Sequence, residues 1–421
     1  MNQESKFPAD FYWGSSTSAY QVEGGIDNND WASHCRDCRA FGCKSHKVLL
    51  PCAGRACDHY NRYEEDFDIA KSLGQNAHRF SIEWARIEPE EGRFDETEIE
   101  HYRKVLKALR ERGIEPFVTL WHFTLPVWFA RIGGFENKKA PFYFSRYCEY
   151  VVRKLGQGND GPAGSITGPR FWITINEPTV YAGMGYIDGK WPPFKNWKSP
   201  GNLVKYLKVM KNLVMSHNMT YKKLKEAGNN FKIGVAHQCT YFESNWNPVY
   251  KLSASFLTWF LNFRFLNKIS GRQDFIGLNH YFRQKVGLGA DRADRITITE
   301  NNRSKVSDMG WEIYPPSIYR VLIQLKKYNK PIYITENGIA DAKDEKRAKF
   351  IKDHLRWVKR AIDDKINVRG YFYWSLLDNF EWADGFEPKF GLVEVDFKTM
   401  ERRIRPSAYE YKKICETNSL I

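Results

Sequence analysis

Eight short runs of apolar, aromatic and β-branched residues punctuate the chain. They are FYWGSST (11–17), QNAHRFSI (75–82), EPFVTLWH (115–122), RFWITIN (170–176), KIGVAHQ (232–238), DFIGLNHY (274–281), PIYITEN (331–337) and VRGYFYWS (368–375). Such runs suit strands covered on both faces. Between them the apolar period lengthens to that of amphipathic helices. Over Asp344–Ile362, residues Phe350, Ile351, His354, Leu355, Val358, Ala361 and Ile362 share one face, with Lys and Arg opposite. Tyr102, Val105, Leu106 and Leu109 repeat the pattern after the second run. Eight strand–helix units without a Pro/Gly/Ser-rich linker predict one (β/α)8 barrel domain over residues 1–421. A doubly wound sheet is the rival, but the first run is not followed by a glycine-rich phosphate loop.

Polar residues gather where the predicted strands end. Arg79 sits in the second run, His122 closes the third, and Asn176 and Glu177 close the fourth. Asn279 and Tyr281 close the sixth, Glu336 the seventh and Trp374 the eighth. The C-terminal end of the strands is where barrel enzymes build their sites. A glutamate ending a buried strand costs free energy unless its charge is used or paired.

Composition changes this picture little. The 421 residues include 14 Trp, 23 Tyr and 28 Phe, enough aromatic surface for a large core and for stacking on sugar rings. The start, MNQESKFPADFYWG, lacks a basic segment followed by an apolar run, so no signal peptide is expected. The most apolar helix candidate, Ser253–Leu266, is too short to span a bilayer and carries Arg264. A soluble cytoplasmic protein is the expectation. The net charge of +14 invites a nucleic-acid reading. The Lys and Arg, however, are mixed with 50 acids over the whole chain, and KYLKVMKNL and YKKLKEAG read as solvated helix faces. No nucleic-acid partner is expected.

Glu177 and Glu336 end strands that face each other across a barrel mouth. Two carboxylates over an aromatic-lined pocket suit glycosidic bond cleavage. One gives a proton to the leaving oxygen; the other attacks the anomeric carbon or activates a water that does. Arg79 and Tyr281 are placed to favour the ionised form of Glu336, as a nucleophile needs. Glu177, beside neutral Asn176 and apolar groups, is expected to stay protonated as the acid. A non-catalytic sugar-binding barrel would not need both glutamates.

From FPADFYWGSSTSAYQVEGG to RPSAY the chain resembles family 1 glycoside hydrolases, the β-glucosidase and β-galactosidase family, with TINEP and YITENG similar to its acid/base and nucleophile motifs. The resemblance implies a retaining, exo-acting β-glycosidase that forms a glycosyl-enzyme intermediate, with Glu336 as nucleophile and Glu177 as acid/base. Arg79 and Tyr281 would orient the nucleophile. It further implies that Gln21, His122, Asn176 and Glu381 bond sugar hydroxyls and that Asn279 reaches the 2-hydroxyl. Trp374 would stack beneath the ring and Trp382 would add a contact. Trp311 would wall the aglycone side, and Phe390 would lie near the sugar's outer edge. Glu381 would repel a 6-phosphate, so unphosphorylated glycosides are expected. Glucosyl, galactosyl and fucosyl units all fit, on small β-glycosides and short oligosaccharides, with transglycosylation as a variant outcome. No cofactor is needed for this chemistry.

The chain departs from the family pattern at Phe123, where Trp is commoner, and at His280, where Tyr is commoner. It is also shorter than most members, which predicts a more open mouth and broad aglycone tolerance. A further feature is the cysteine cluster in an insertion at about 32–57 after the first strand, spaced C-x2-C-x4-C-x8-C-x4-C. Cys57 lies in ACDHY, which is similar to the ordinary family pattern. Cys35, Cys38, Cys43 and Cys52 are read as a structural zinc site, with His34 and His46 as spare ligands and with disulfides and free thiols as the alternatives.

Overall fold

The computed structural model describes residues 6–35, 50–156, 168–228, 230–287 and 305–420. The eight predicted strands form β1 (Tyr12–Ser16), β2 (Ala77–Ser81), β3 (Glu115–Thr119), β4 (Phe171–Asn176), β5 (Lys232–Gln238), β6 (Phe275–Asn279), β7 (Ile332–Asn337) and β8 (Val368–Trp374). Each strand pairs in parallel with its sequence neighbour and β1 closes on β8, giving a closed eight-stranded barrel with helices between the strands.

The N-terminal end of the barrel is plugged by side chains. Phe117 and Phe171 stack at 4.1 Å, and Tyr333, Phe275 and Phe372 fill the space around them. That leaves the opposite end to open as a cavity. The outer helices bury the stripes that the sequence predicts. Tyr102, Val105, Leu106 and Leu109 are buried on the helix Glu96–Glu111, whose N-cap Asp95 accepts from the Thr97 and Glu98 amides. The helix predicted from Asp344 begins at Arg347 instead. Asp344 sits at φ 59, a left-handed conformation that cannot join a right-handed helix. The apolar segment Ser253–Leu266 spans parts of helices Pro248–Leu257 and Arg264–Ile269, with the π-helical stretch Thr258–Phe263 between them. No described helix is long and apolar enough to cross a membrane.

The two strands bearing the candidate glutamates are irregular next to them. The β4–β5 register shifts between Ile173 and Asn176. The β6–β7 register shifts between Leu278 and Asn279, so that Asn279 pairs with Glu336. A bulge re-aims the side chains that follow it.

The zinc reading needs correction. Cys35 and Cys52 are joined by a disulfide, with Cα atoms 5.0 Å apart. A disulfide sulfur is no thiolate ligand, so two of the four expected donors are spent. Cys38, Cys43 and His46 lie outside the described residues. His34 turns Nδ1 to the Asp30 carbonyl at 2.7 Å. No group of three or more His, Cys, Asp or Glu among the described residues is placed to hold a metal ion.

Candidate active site

The C-terminal end of the barrel opens into a cavity of about 600 Å³. Glu177, just after β4, and Glu336, in β7, both line it. Glu336 ends β7 with both oxygens occupied: Arg79 donates to Oε1 at 2.5 Å and the Tyr281 hydroxyl to Oε2 at 2.6 Å. These are the partners an anionic carboxylate takes. Arg79 is fully buried in β2 and is itself fixed, because Nε donates to Thr119 Oγ1 and Nη2 to Asn176 Oδ1. Burial and the Glu336 charge push the Tyr281 phenol well above its ordinary range, so it remains a donor.

Glu177 has different surroundings. It follows β4 at φ 41, a strained conformation for a residue with a side chain, and Pro178 opens the helix Pro178–Tyr186 behind it. Its oxygen accepts one neutral hydrogen bond, from Asn279 Nδ2 at 2.7 Å. Burial first, then the Glu336 charge, push its pKa up from 4.5 to about 8. Two carboxyl groups in one cavity thus have environments that favour opposite protonation states, the signature of an acid paired with a base or nucleophile.

Asn176 and His122 extend the network. Asn176 Oδ1 accepts from Arg79 and Asn279, which turns its Nδ2 toward His122 Nε2 at 3.2 Å. Burial first, then Arg79, lower the His122 pKa well below its usual value. A neutral imidazole accepting at Nε2 carries its proton on Nδ1. That buried N–H has no hydrogen-bond partner among the described residues and belongs to a side chain lining the cavity.

Gln21, Trp311, Trp374, Glu381, Trp382 and Phe390 also line the cavity. Gln21 already donates to Asn379 Oδ1 and the Phe380 carbonyl, and its oxygen accepts from Ser18. Trp374 and Trp382 lie nearly parallel to the His122 ring, at 6.0 and 5.9 Å. Trp382 is more of a core residue than its sequence setting suggests. It is buried against Tyr20, Trp31, Phe123 and Trp191 and offers only part of its ring to the cavity. Trp311 packs near Tyr281 and Phe390.

Asn279, expected to reach the sugar 2-hydroxyl, is bonded to the neighbouring site residues. It is absent from the cavity lining; its amide donates to Glu177 and Asn176, and its oxygen accepts from Thr335. His280 also points elsewhere, with Nδ1 on the Cys239 carbonyl and Nε2 on Ser317 Oγ. Sequence reasoning missed Gln238, Thr240, Met184 and Trp191 in the wall. Gln238 ends β5 and follows the rule that found the other strand-end residues; Met184 lies in the helix Pro178–Tyr186, and Thr240 and Trp191 sit on connections with no periodic signal.

The comparisons with known proteins point to one family. The family profile for glycosyl hydrolase family 1 matches residues 3–265 and 258–420. Beta-glucosidase A of Thermotoga maritima is 33% identical over 99% of both chains, and beta-glucosidase A of Acetivibrio thermocellus is 33% identical over 98% of both. Among solved structures, a beta-glycosidase from Pyrococcus horikoshii superposes with a TM-score of 0.84 at 37% identity, covering 99% of this chain and 96% of that one. A closed parallel barrel, two carboxylates in opposed environments at its mouth and a match along nearly the whole chain lead to one assignment: this protein belongs to glycosyl hydrolase family 1 and is an O-glycosyl hydrolase.

Proposed function

We propose that the protein is a retaining, exo-acting β-glucosidase that releases terminal non-reducing β-D-glucosyl units from unphosphorylated glycosides, with galactosyl and fucosyl units as further substrates. The observation that carries this reading is the contrast between the two carboxyl groups. Glu336 takes charged and phenolic donors on both oxygens, whereas buried Glu177 has its proton held up to about pH 8.

The steps follow from those contacts. Glu336 attacks the anomeric carbon as the glycosidic bond breaks, and Glu177 passes its proton to the departing oxygen. The glycosyl group is then an ester of Glu336, and Glu177 is an anion. Glu177 next takes a proton from water as that water attacks the anomeric carbon, freeing Glu336. An alcohol in place of water gives transglycosylation. Arg79 and Tyr281 steady Glu336 while its charge disappears and returns, and Asn279 holds Glu177. His122 Nδ1–H, Gln21 and Glu381 face the sugar hydroxyls, and the Trp374 face underlies the ring. Glu381 would meet a 6-phosphate with like charge. The mouth accepts varied aglycones along Trp311. The family chemistry uses no cofactor.

Aryl β-glycosides assayed with wild type, Glu336→Gln and Glu177→Gln test the assignment. Both variants should lose about a thousandfold or more in kcat, as removal of a covalent or proton-transfer step implies. Azide should restore turnover, as β-glycosyl azide, to Glu177→Gln and not to Glu336→Gln. Rescue of the Glu336 variant alone would reverse the two roles.

A further inference from the structure

The net charge of +14 is not evenly distributed. Residues 189–273 hold 14 of the 64 Lys and Arg and only two of the 50 acids, Glu226 and Glu243, so the rest of the chain is nearly neutral. From Gly189 to Lys225, and again from Asn245 to Gln273, there is no acid at all. Lys195, Lys223 and Lys225 are paired with acids of neighbouring elements. Among the described residues no ion pair is seen for Lys198, Lys205, Lys208, Lys211 or Lys251.

The same two segments carry an unusual apolar surface. On the helix Pro248–Leu257 and its π-helical continuation, Val249, Leu252, Phe256 and Trp259 recur at helical spacing yet are 66%, 73%, 55% and 47% exposed. On the long helix Pro200–Ala227, Leu203, Val204 and Leu207 are exposed as well. The two helices meet where Tyr206 stacks on Phe260 at 6.0 Å, and Phe256 stacks on Phe260 at 5.7 Å. Both exposed stripes therefore border one seam. Trp197 and Trp246, 69% and 81% exposed, precede the two helices. Scattered apolar residues need no explanation, but exposed apolar stripes on two packed helices that also carry Lys205, Lys208, Lys211 and Lys251 do.

We propose that this face is a docking surface for an anionic lipid bilayer, on which the protein lies without spanning it. Helices with exposed Trp, Phe and Leu beside Lys lie in the headgroup region, their apolar residues entering the acyl boundary and their cations meeting lipid phosphates. Charge selects this occupant over a second copy. A two-fold dimer through the patch would place the same acid-free surface against itself. Aliphatic exposure selects it over nucleic acid, because Val249, Leu252, Leu203 and Val204 gain nothing from phosphates or base edges. The cytoplasmic leaflet carries the required negative potential. The inference is independent of the hydrolytic mechanism.

Cosedimentation of the full chain with vesicles tests it, using phosphatidylcholine alone and phosphatidylcholine containing about one-quarter phosphatidylglycerol. Binding should be strong on the anionic vesicles, weak on the neutral ones, and reduced by added salt. Leu252→Glu/Phe256→Glu should lower the partition coefficient on the order of tenfold or more. Lys208→Gln/Lys211→Gln should lower it about fivefold per lysine, on anionic vesicles only. Turnover of a soluble aryl glycoside should be unchanged in both variants, showing that they fold. Failure of the wild type to bind either vesicle would overturn the proposal, as would undiminished binding by the Leu252/Phe256 variant. Duplex DNA binding without vesicle binding would assign the charge to nucleic acid. A concentration-dependent dimer abolished by Leu252→Glu/Phe256→Glu, without vesicle binding, would assign the patch to self-association.

Discussion

At the residue scale, the molecule turns on how two identical functional groups are made different. Glu177 is buried, strained at φ 41 and given one amide donor; Glu336 meets a guanidinium and a phenol. The raised pKa of Glu177 has a thermodynamic sign. Below its ordinary value of 4.5 the carboxyl is protonated in both folded and unfolded chains, and its contribution to stability is fully present. As pH rises, the unfolded chain ionises first, and stability is lost until the folded group titrates near pH 8. Glu177→Gln has no such loss. Its Tm should therefore gain on wild type between about pH 4 and pH 8, and the wild-type activity should fall on the alkaline side over the same titration. A Tm difference that stays constant over that range would contradict the burial argument. Both glutamates were legible in sequence because each interrupts an apolar run with a charge. The bond from Asn279 to Glu177 was not, because a strand-end amide reads alike whatever it meets. The charge asymmetry over residues 189–273 was missed by the reading that Lys and Arg are mixed with acids over the whole chain, because that mixing holds outside this stretch and not within it.

At the element scale, strands and helices follow the apolar period closely, since closing the barrel requires every strand to be buried on both faces. What the period does not carry is the register shift beside Asn176 and Glu336, nor the π-helical stretch at Thr258–Phe263. Both depend on partners distant in sequence. Contacts between elements also rest on buried charge. Arg402, in the short strand Arg402–Ile404, donates to both oxygens of Asp66 in the helix His59–Ser72, and His59 shares that carboxylate at 2.7 Å. Although burial opposes ionisation, the hydrogen bonds from His59 and Arg402 hold the Asp66 pKa below its ordinary value. Asp66→Asn leaves the buried guanidinium without its counter-charge and should cost about 3–5 kcal/mol in urea unfolding. A loss under about 1 kcal/mol would show that water or the neighbouring Cys57 carbonyl compensates the charge.

At the scale of the whole molecule, the barrel packs one end with aromatic side chains and leaves the other open for chemistry. The cysteine cluster shows where sequence reasoning runs out: spacing alone does not separate a metal clamp from a disulfide. The Cys35–Cys52 bond leaves at most six of the eight cysteines free, so thiol titration of the denatured, unreduced protein should find no more than six. Eight titratable thiols would remove the disulfide. Four of the others, Cys57, Cys148, Cys239 and Cys415, are buried and should react only after unfolding.

Trapping the intermediate tests the opposed roles of the two glutamates most directly. A 2-fluoro-2-deoxy-β-D-glucosyl fluoride should add one glycosyl mass to the intact protein and mark the peptide containing Glu336, with release when an acceptor alcohol is supplied. A label on Glu177, or steady turnover of the reagent without any adduct, would contradict the assignment.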